Sequence, residues 1–237
     1  MRDYRQLEER FAADLGLQRR PVAVASMDTV PRNVSKFSGT APSGCSFWRL
    51  ASEGQTFYTV PSDHYNCAVG AYTHNIPLPP DREKELPETL GFMTGIGYIR
   101  IEEVPGIPRL PVTPVAVVYA PLGDTPVPPD VVIFSGPASQ VMLLQESAIR
   151  ARVAAGMTTL GRPTCMSVPA AMAMGTVAST GCVGNRVYTS IDLGDLYVVM
   201  PGRDLERVAK ETAAIRKANV ELLAYHTERR DRLMSVA

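Results

Sequence analysis

The chain has 237 residues, which is enough to bury a hydrophobic core without disulfide or metal staples. It carries 24 basic and 24 acidic side chains, so its formal net charge is zero. No stretch of the sequence carries the basic stripe that phosphate backbones require, so we do not expect a nucleic-acid partner. Hydrophobic residues make up 45% of the composition, which excludes disorder along the whole length.

The first ten residues and the hydropathy of the chain bear on its location. The segment MRDYRQLEER is charged from its second residue and lacks the apolar stretch of a secretory signal. No run of residues approaches the roughly 18 apolar positions of a membrane span. We therefore expect a cytoplasmic protein with no membrane partner, whose four cysteines stay reduced.

The first half of the chain predicts an alternation of helices and short strands. Apolar residues recur at helical spacing in the helices, and β-branched or alternating runs mark the strands. The predicted elements are helix 3–17, strand 21–25, helix 45–52, strand 55–60, helix 83–92 and strand 98–101.

The second half continues this alternation and ends in a long helix. The predicted elements are strands 114–120 and 130–134, a helix opening at 137, helix 165–174, strand 176–179, a glycine turn at 181–184, strand 196–200 and helix 204–233. Strands alternating with helices indicate an α/β or α+β fold with mixed sheets.

The four cysteines form two pairs with similar surroundings. Cys45 and Cys165 each follow a proline by two or three residues and begin a helical segment. Cys67 and Cys182 are each followed by a glycine and then by Tyr-Thr. Corresponding cysteines lie 115 to 120 residues apart, about half of the chain, and this spacing suggests an internal duplication.

The duplication predicts one compact domain built from two halves, about 18–110 and 111–237. If the halves face each other across a pseudo-twofold axis, equivalent positions bring the four thiols together near that axis. Cys45 and Cys165 are expected in the first turns of helices, where free N–H groups favour thiolate over thiol. The sequence therefore predicts a single thiolate site.

Thiolates from four separate segments suit an iron–sulfur cluster or a tetrahedral zinc ion. Structural zinc sites usually contain close C-x2-C pairs, which this sequence lacks, so the spacing favours a cluster, with 4Fe–4S as the expected type. We therefore predict a redox protein, a reductase or electron carrier. The predicted cluster ligands are Cys45, Cys67, Cys165 and Cys182.

The expected partner is a small anionic substrate or a redox partner. Three residues near the cysteines are candidates for substrate binding: Arg49, His64 and Arg186. No catalytic residue is assigned. The apolar stripe of the predicted helix 204–233 suits either its own core or a second subunit, so a homodimer stays open.

Other functions stay open beside the cluster. One alternative is a carrier that binds or delivers a metal or a haem-like group without turnover, with zinc or haem as the cofactor. Another is a metal-independent thiol enzyme, with Cys67 as nucleophile and His64 as its base. The non-functional alternatives are four inert core thiols or two structural disulfides.

Four motifs around the cysteines resemble a known family. They are 44–48 (GCSFW), 63–70 (DHYNCAVG), 161–165 (GRPTC) and 181–189 (GCVGNRVYT). At these motifs the chain resembles the family called domain of unknown function 169, found in archaea and bacteria. The resemblance spans roughly residues 7–214 and includes all four cysteines. It implies no activity, but it supports treating the four motifs as one site.

Overall fold

One mixed sheet lies at the centre of the computed structural model, which describes residues 3–154 and 158–235. Its strands are β1 (Val22–Met27), β2 (Phe57–Thr59), β3 (Ala116–Pro121), β4 (Val131–Pro137), β5 (Thr158–Leu160), β6 (Val177–Ser179) and β7 (Asp195–Pro201). Their order across the sheet is β2-β3-β1-β4-β7-β6-β5. Neighbouring strands are antiparallel except β5 and β6, which are parallel. The mixed sheet with helices confirms the predicted fold class.

Helices cover both faces of this sheet. They are α1 (Tyr4–Leu15), α2 (Gly44–Ser52), α3 (Ala68–Thr73), α4 (Glu85–Gly95), α5 (Ala138–Arg150), α6 (Ser167–Met174), α7 (Val183–Thr189) and α8 (Leu205–Met234). No helix among the described residues is long and apolar enough to cross a membrane.

The central strands are apolar on both sides because each sheet face packs against helices. In β4, Val131 and Ile133 belong to the core shared with α2 and α6. The alternate residues Val132 and Phe134 belong to the core shared with α1, α5 and α8. The first of these two cores contains Cys45 and Cys165, so these two thiols lie on one side of the sheet.

Two sequence predictions of local structure are wrong. Residues 98–101 do not form a strand, because they pair with no neighbour and lead into a 3-10 helix at Ile101–Gly106. The predicted turn at 181–184 contains the start of α7, because Cys182 occupies the N-cap position of that helix.

The predicted halves contribute unequally to the sheet. β1 and β2 come from the first half, and the other five strands come from the second. β1 lies between β3 and β4, so strands of both halves share one sheet. The pseudo-twofold relation between the halves stays a prediction.

Candidate functional site

Each of the four cysteines lies at the start of a helix. Cys45 is the second residue of α2, and Cys165 lies in the 3-10 turn Thr164–Met166 that leads into α6. Cys67 and Cys182 are the N-cap residues of α3 and α7. The first-turn position predicted for Cys45 is therefore present, Cys165 lies one turn before its helix, and the cap positions of Cys67 and Cys182 were not predicted.

The starts of these helices approach one another. A Cβ atom added to Gly44 would lie 4.0 Å from the Cα atom of Gly70, so α2 and α3 are close at this point. The Cys165 thiol contacts the carbonyl oxygen of Val69 in α3 at 3.9 Å. It also interacts electrostatically with the other three thiols. The four cysteines therefore form a single group, which we call the thiol cluster.

Burial determines the charge of two of these thiols. Cys45 and Cys165 are only 6% and 5% exposed. Burial raises the pKa of both thiols well above its usual value, and the neighbouring thiols raise it further. The amide of Asn185 interacts with the Cys45 thiol and opposes part of this effect. Both groups are therefore neutral thiols, and the expectation that helix N-termini make them thiolates is wrong.

The geometry also contradicts the predicted iron–sulfur redox function. Across residues 3–154 and 158–235, no group of three or more His, Cys, Asp or Glu side chains is arranged so that it could hold a metal ion. All four cysteines lie within these ranges and are free of disulfides. The physical reason is geometric, since a bound metal needs several such ligands around one point and the described side chains do not provide that arrangement.

Two buried histidines lie beside α2 and α3. His64 Nε2 is 2.8 Å from Thr59 Oγ1, and because that hydroxyl donates to the Val117 carbonyl, His64 donates to it. His74 Nδ1 donates to the carbonyl oxygen of Gly70 at 3.0 Å. Burial lowers the pKa of both rings, so both are neutral at pH 7.

Cys67 and His64 form hydrogen bonds with different residues and not with each other. Cys67 Sγ accepts the N–H of Gly70 at 3.3 Å, while His64 pairs with Thr59. The two side chains therefore do not form a hydrogen-bonded nucleophile and base. His64 as a substrate ligand stays a prediction, although it is only 1% exposed.

Two hydroxyl groups in the same core have no partner among the described residues. They belong to Tyr119 and Ser167, and both side chains are fully buried. Burial raises the pKa of the Tyr119 hydroxyl, and the thiols of Cys45 and Cys165 raise it further. A buried hydroxyl without a partner costs free energy, so the cluster is a polar region inside an otherwise apolar core.

A narrow cleft lies beside the thiol cluster, between α2, α7 and the sheet. Its cavity volume is only about 20 Å³, which is room for about one water molecule. Its lining combines two arginines, several hydroxyl groups and apolar side chains: Arg19, Val22, Trp48, Arg49, Ser52, Ile133, Ser135, Thr189, Ile191 and Tyr197. The structure thus places the predicted residue Arg49 in a pocket.

The arginines of this cleft are only partly neutralised. Arg49 Nε is buried without a hydrogen-bond acceptor, and its nearest carboxylate oxygen, Glu53 Oε1, is 3.6 Å away in an ion pair. Arg19 donates to the carbonyl oxygen of Ser190 at 3.2 Å. It also interacts with the carboxylate of Asp195. One N–H donor of Arg49, at Nε, therefore has no hydrogen-bond acceptor among the described residues.

Tyr197 connects the cleft to the thiol cluster. Its hydroxyl lies 3.1 Å from Thr189 Oγ1, and its ring meets Trp48 edge-on at 5.8 Å. Burial raises the pKa of Tyr197 to about 12, so the hydroxyl stays protonated. The Asn185 amide interacts with both Tyr197 and Cys45.

Sequence reasoning missed Arg19 and Tyr197, which line the cleft. The structure gives the predicted residue Arg186 a structural role. Arg19 carries no motif, and only the fold brings it opposite Arg49. Tyr197 could have been found from the alternation of β7, which points it toward the same core as Val199. Arg186 donates to backbone carbonyls of its own loop, and its role as a substrate ligand stays a prediction.

The comparisons with known proteins identify a family but no function. A family model described as "Uncharacterised ArCR", domain of unknown function 169, matches residues 10–211. No curated protein and no solved structure matches the chain. The family match covers most of the sequence, including all four cysteine motifs. The chain therefore belongs to the family called domain of unknown function 169.

Proposed function

We propose that the protein binds a small organic molecule through an anionic group at this cleft, which has to widen from about 20 Å³ to admit that group. The observation that carries this proposal is the Arg49 guanidinium, whose Nε is buried at the cleft without a hydrogen-bond acceptor. Arg19 lines the same cleft. Guanidinium groups bind carboxylates with two parallel hydrogen bonds, which gives both affinity and orientation.

The composition of the cleft favours a carboxylate over inorganic phosphate. Glu53 and Asp195 each interact with one of the two arginines, so the cleft carries little net positive charge. A single negative charge is easier to accommodate there than two. The apolar side chains of Trp48 and Ile133 suit the organic part of such a ligand.

The thiol cluster lies behind the inner wall of this cleft. Tyr197 lines the cleft, and the side chain of Asn185 lies close to both Tyr197 and Cys45. A ligand that displaces the Tyr197 ring would change the packing around that thiol. We place this binding function in the cytoplasm, where the four free thiols stay reduced.

Tryptophan fluorescence provides a direct test. Trp48 is the only tryptophan of the chain and lines the cleft, so its emission reports on a bound ligand. The purified protein is titrated with acetate, benzoate, succinate and inorganic phosphate. We expect a saturable change with at least one carboxylate. Arg49→Gln is expected to weaken that binding by about tenfold, the effect of losing one charge-assisted hydrogen bond.

Arg230→Gln is the matched control for this titration. Arg230 is exposed on α8 and pairs with Asp231, far along the chain from the cleft residues. The same substitution there leaves the affinity unchanged if the effect is local. The proposal is wrong if no compound of the panel alters the emission, or if both variants lose affinity equally.

A further inference from the structure

The chain between β6 and β7 forms a compact surface loop that contains α7. The carbonyl oxygens of Thr180 and Asp195, where the loop begins and ends, both accept from Nη2 of Arg186. Nη1 of the same side chain donates to two carbonyl oxygens within the loop, at 3.0 and 3.2 Å. The two ends therefore lie side by side, and residues 181–194, which we call the α7 loop, are held together by a side chain of their own, as in an Ω-loop.

The α7 loop buries polar side chains and exposes apolar ones. Within α7 the buried residues are Asn185 and Thr189, whereas Val183 and Val187 are 66% and 68% exposed. Both polar atoms of the Asn185 amide are buried without a hydrogen bond of ordinary geometry to any described residue. A surface helix normally buries its apolar side, so this one gains little free energy from its contact with the body of the protein.

The two ends of α7 are attached to the body by different contacts. At the first end the backbone N–H of Cys182 donates to Thr164 Oγ1 at 2.5 Å, next to the thiol cluster. At the last end Arg19 donates to the carbonyl oxygen of Ser190 at 3.2 Å, at an exposed position where water competes for both groups. The last end is therefore the easier one to detach.

A hydrogen bond between two buried hydroxyl groups also holds the last end of α7. The Thr189 hydroxyl donates to the carbonyl oxygen of Asn185 at 2.8 Å, so the Tyr197 hydroxyl, 3.1 Å away, donates to Thr189 Oγ1. Removing this acceptor would leave the buried hydroxyl of Tyr197 unpaired for as long as α7 stays in place. The last end is thus held by polar contacts, which water can replace when the helix moves away.

We propose that the α7 loop is a lid, which opens the cleft when the last end of α7 moves away from Tyr197. Thr189 and Ile191 of the loop line the cleft, and the opposite walls include the core residues Ile133 and Trp48. Ile191 joins the loop to the core, so its burial keeps the lid closed at rest. The cleft has to widen from about 20 Å³ to admit a ligand. Because the lid regulates the proposed binding site, it rests on the proposed function.

Alkylation of buried thiols by iodoacetamide measures the opening without any ligand. Cys45 and Cys165 are almost equally buried, at 6% and 5% exposed. Cys45 lies close to Asn185 on the inner side of the lid, whereas Cys165 contacts Val69 of α3. We expect Cys45 of the native protein to be alkylated at least about tenfold faster than Cys165, because opening of the lid uncovers only Cys45. Peptide mass spectrometry gives both rates at doses that modify each chain at most once, each divided by the rate of the same thiol in urea.

A substitution in the lid changes the rate at one thiol only. Thr189→Val leaves the Tyr197 hydroxyl unpaired in the closed lid, so it should accelerate alkylation of Cys45 by about a further tenfold and leave Cys165 unchanged. Thr212→Val is the matched control. Thr212 is also buried and donates to the carbonyl oxygen four residues earlier, but it lies in α8, away from the lid. This variant should leave both rates as in the wild type.

The comparison of the two thiols in the wild-type protein needs no variant, so it decides the matter even if Thr189→Val fails to fold. Equal normalised rates for Cys45 and Cys165 would overturn the lid. It is also overturned if Thr189→Val accelerates both thiols or neither, or if Thr212→Val accelerates Cys45 as much. Selective alkylation of Cys45 without a fluorescence response to any carboxylate would instead reject the proposed function and keep the moving loop.

Discussion

The first cysteine segment (residues 44–73) and the second cysteine segment (residues 164–189) have the same order of elements. Each has a cysteine at the start of a helix, then a strand of three residues, and then a cysteine that caps a short helix. The two short strands, β2 and β6, each pair antiparallel with a longer strand. The segments differ in what fixes them to the rest of the protein.

The first segment is fixed from inside the core. Its cap residue Cys67 accepts an N–H through its sulfur, and two neutral histidines, His64 and His74, fill the space behind the helices. The second segment contains no histidine, and Arg186 fixes its last helix to the following loop. Similar local sequence therefore sets the order of elements, while unrelated residues supply the tertiary contacts.

Removal of Arg186 is expected to have the largest effect on either segment. Its guanidinium donates to the backbone carbonyl oxygens of Thr180, Asp192, Leu193 and Asp195. Arg186→Met leaves these acceptors without their charged donor and should lower the free energy of unfolding by about 2 to 3 kcal/mol. Urea denaturation followed by circular dichroism measures this loss.

The control is an arginine that lies outside the first segment but donates to its last helix. Arg109 donates to the carbonyl oxygen of Tyr72 at 2.9 Å and to the side chain of Asn75 at 2.6 Å, at an exposed position. Arg109→Met is expected to cost only about 1 kcal/mol, since water replaces its hydrogen bonds. Equal losses in the two variants would show that the segments do not differ in this way.

Acid should destabilise the first segment more than the second. The unfolded chain protonates His64 near pH 6.5, whereas burial and the neighbouring His74 hold the pKa of this residue well below that value in the folded state. Below pH 6.5 the unfolded state binds more protons, so stability present at pH 7 is lost as the pH falls. One such histidine costs about 2 kcal/mol at pH 5.

The change in unfolding free energy between pH 7 and pH 5 isolates this effect. His64→Gln should reduce that change by about 2 kcal/mol, whatever the substitution does to stability at pH 7. His226→Gln alters a histidine on the exposed end of α8 and should leave the change as in the wild type. If His64→Gln keeps the full acid sensitivity, the imidazole is not held neutral by the fold.

Much of the fold could be predicted because it depends on local patterns. The apolar stripes of α1 and α5 and the β-branched run of β4 are visible in the sequence, and the structure contains each of them. Residues 98–101 alternate like a strand but have no neighbouring strand to pair with. Alternation indicates a potential strand, and only the tertiary structure decides whether it is used.

The candidate site was harder to predict because the charge of a side chain depends on how deeply the side chain is buried. The position of Cys45 in a first turn follows from sequence and favours thiolate, but its burial in the core favours the neutral thiol. No local pattern reports that depth. Arg19 is similar, since its approach to Arg49 requires the strand β1 to lie beside the core of α2.

The smallest expected difference between the segments concerns two helix glycines, Gly70 in α3 and Gly184 in α7. A Cβ atom on Gly184 would lie 3.7 Å from the Tyr188 ring, an ordinary contact. Because alanine is the better helix former, Gly184→Ala should stabilise the protein by about 0.5 kcal/mol. A Cβ atom on Gly70 would lie 3.0 Å from Cys67 Sγ, so Gly70→Ala should destabilise it by about 1 kcal/mol.

A double substitution shows whether the Cys67 sulfur is the reason that Gly70→Ala destabilises the protein while Gly184→Ala stabilises it. Cys67 Sγ is held in place by the N–H of Gly70, so it cannot move away without losing that hydrogen bond. In a Cys67→Ala background the obstruction is gone, and Gly70→Ala should become neutral or stabilising, as Gly184→Ala is. If the penalty persists, it comes from the close approach of Gly44 to Gly70 instead, and the two segments then differ in helix packing and not in their caps.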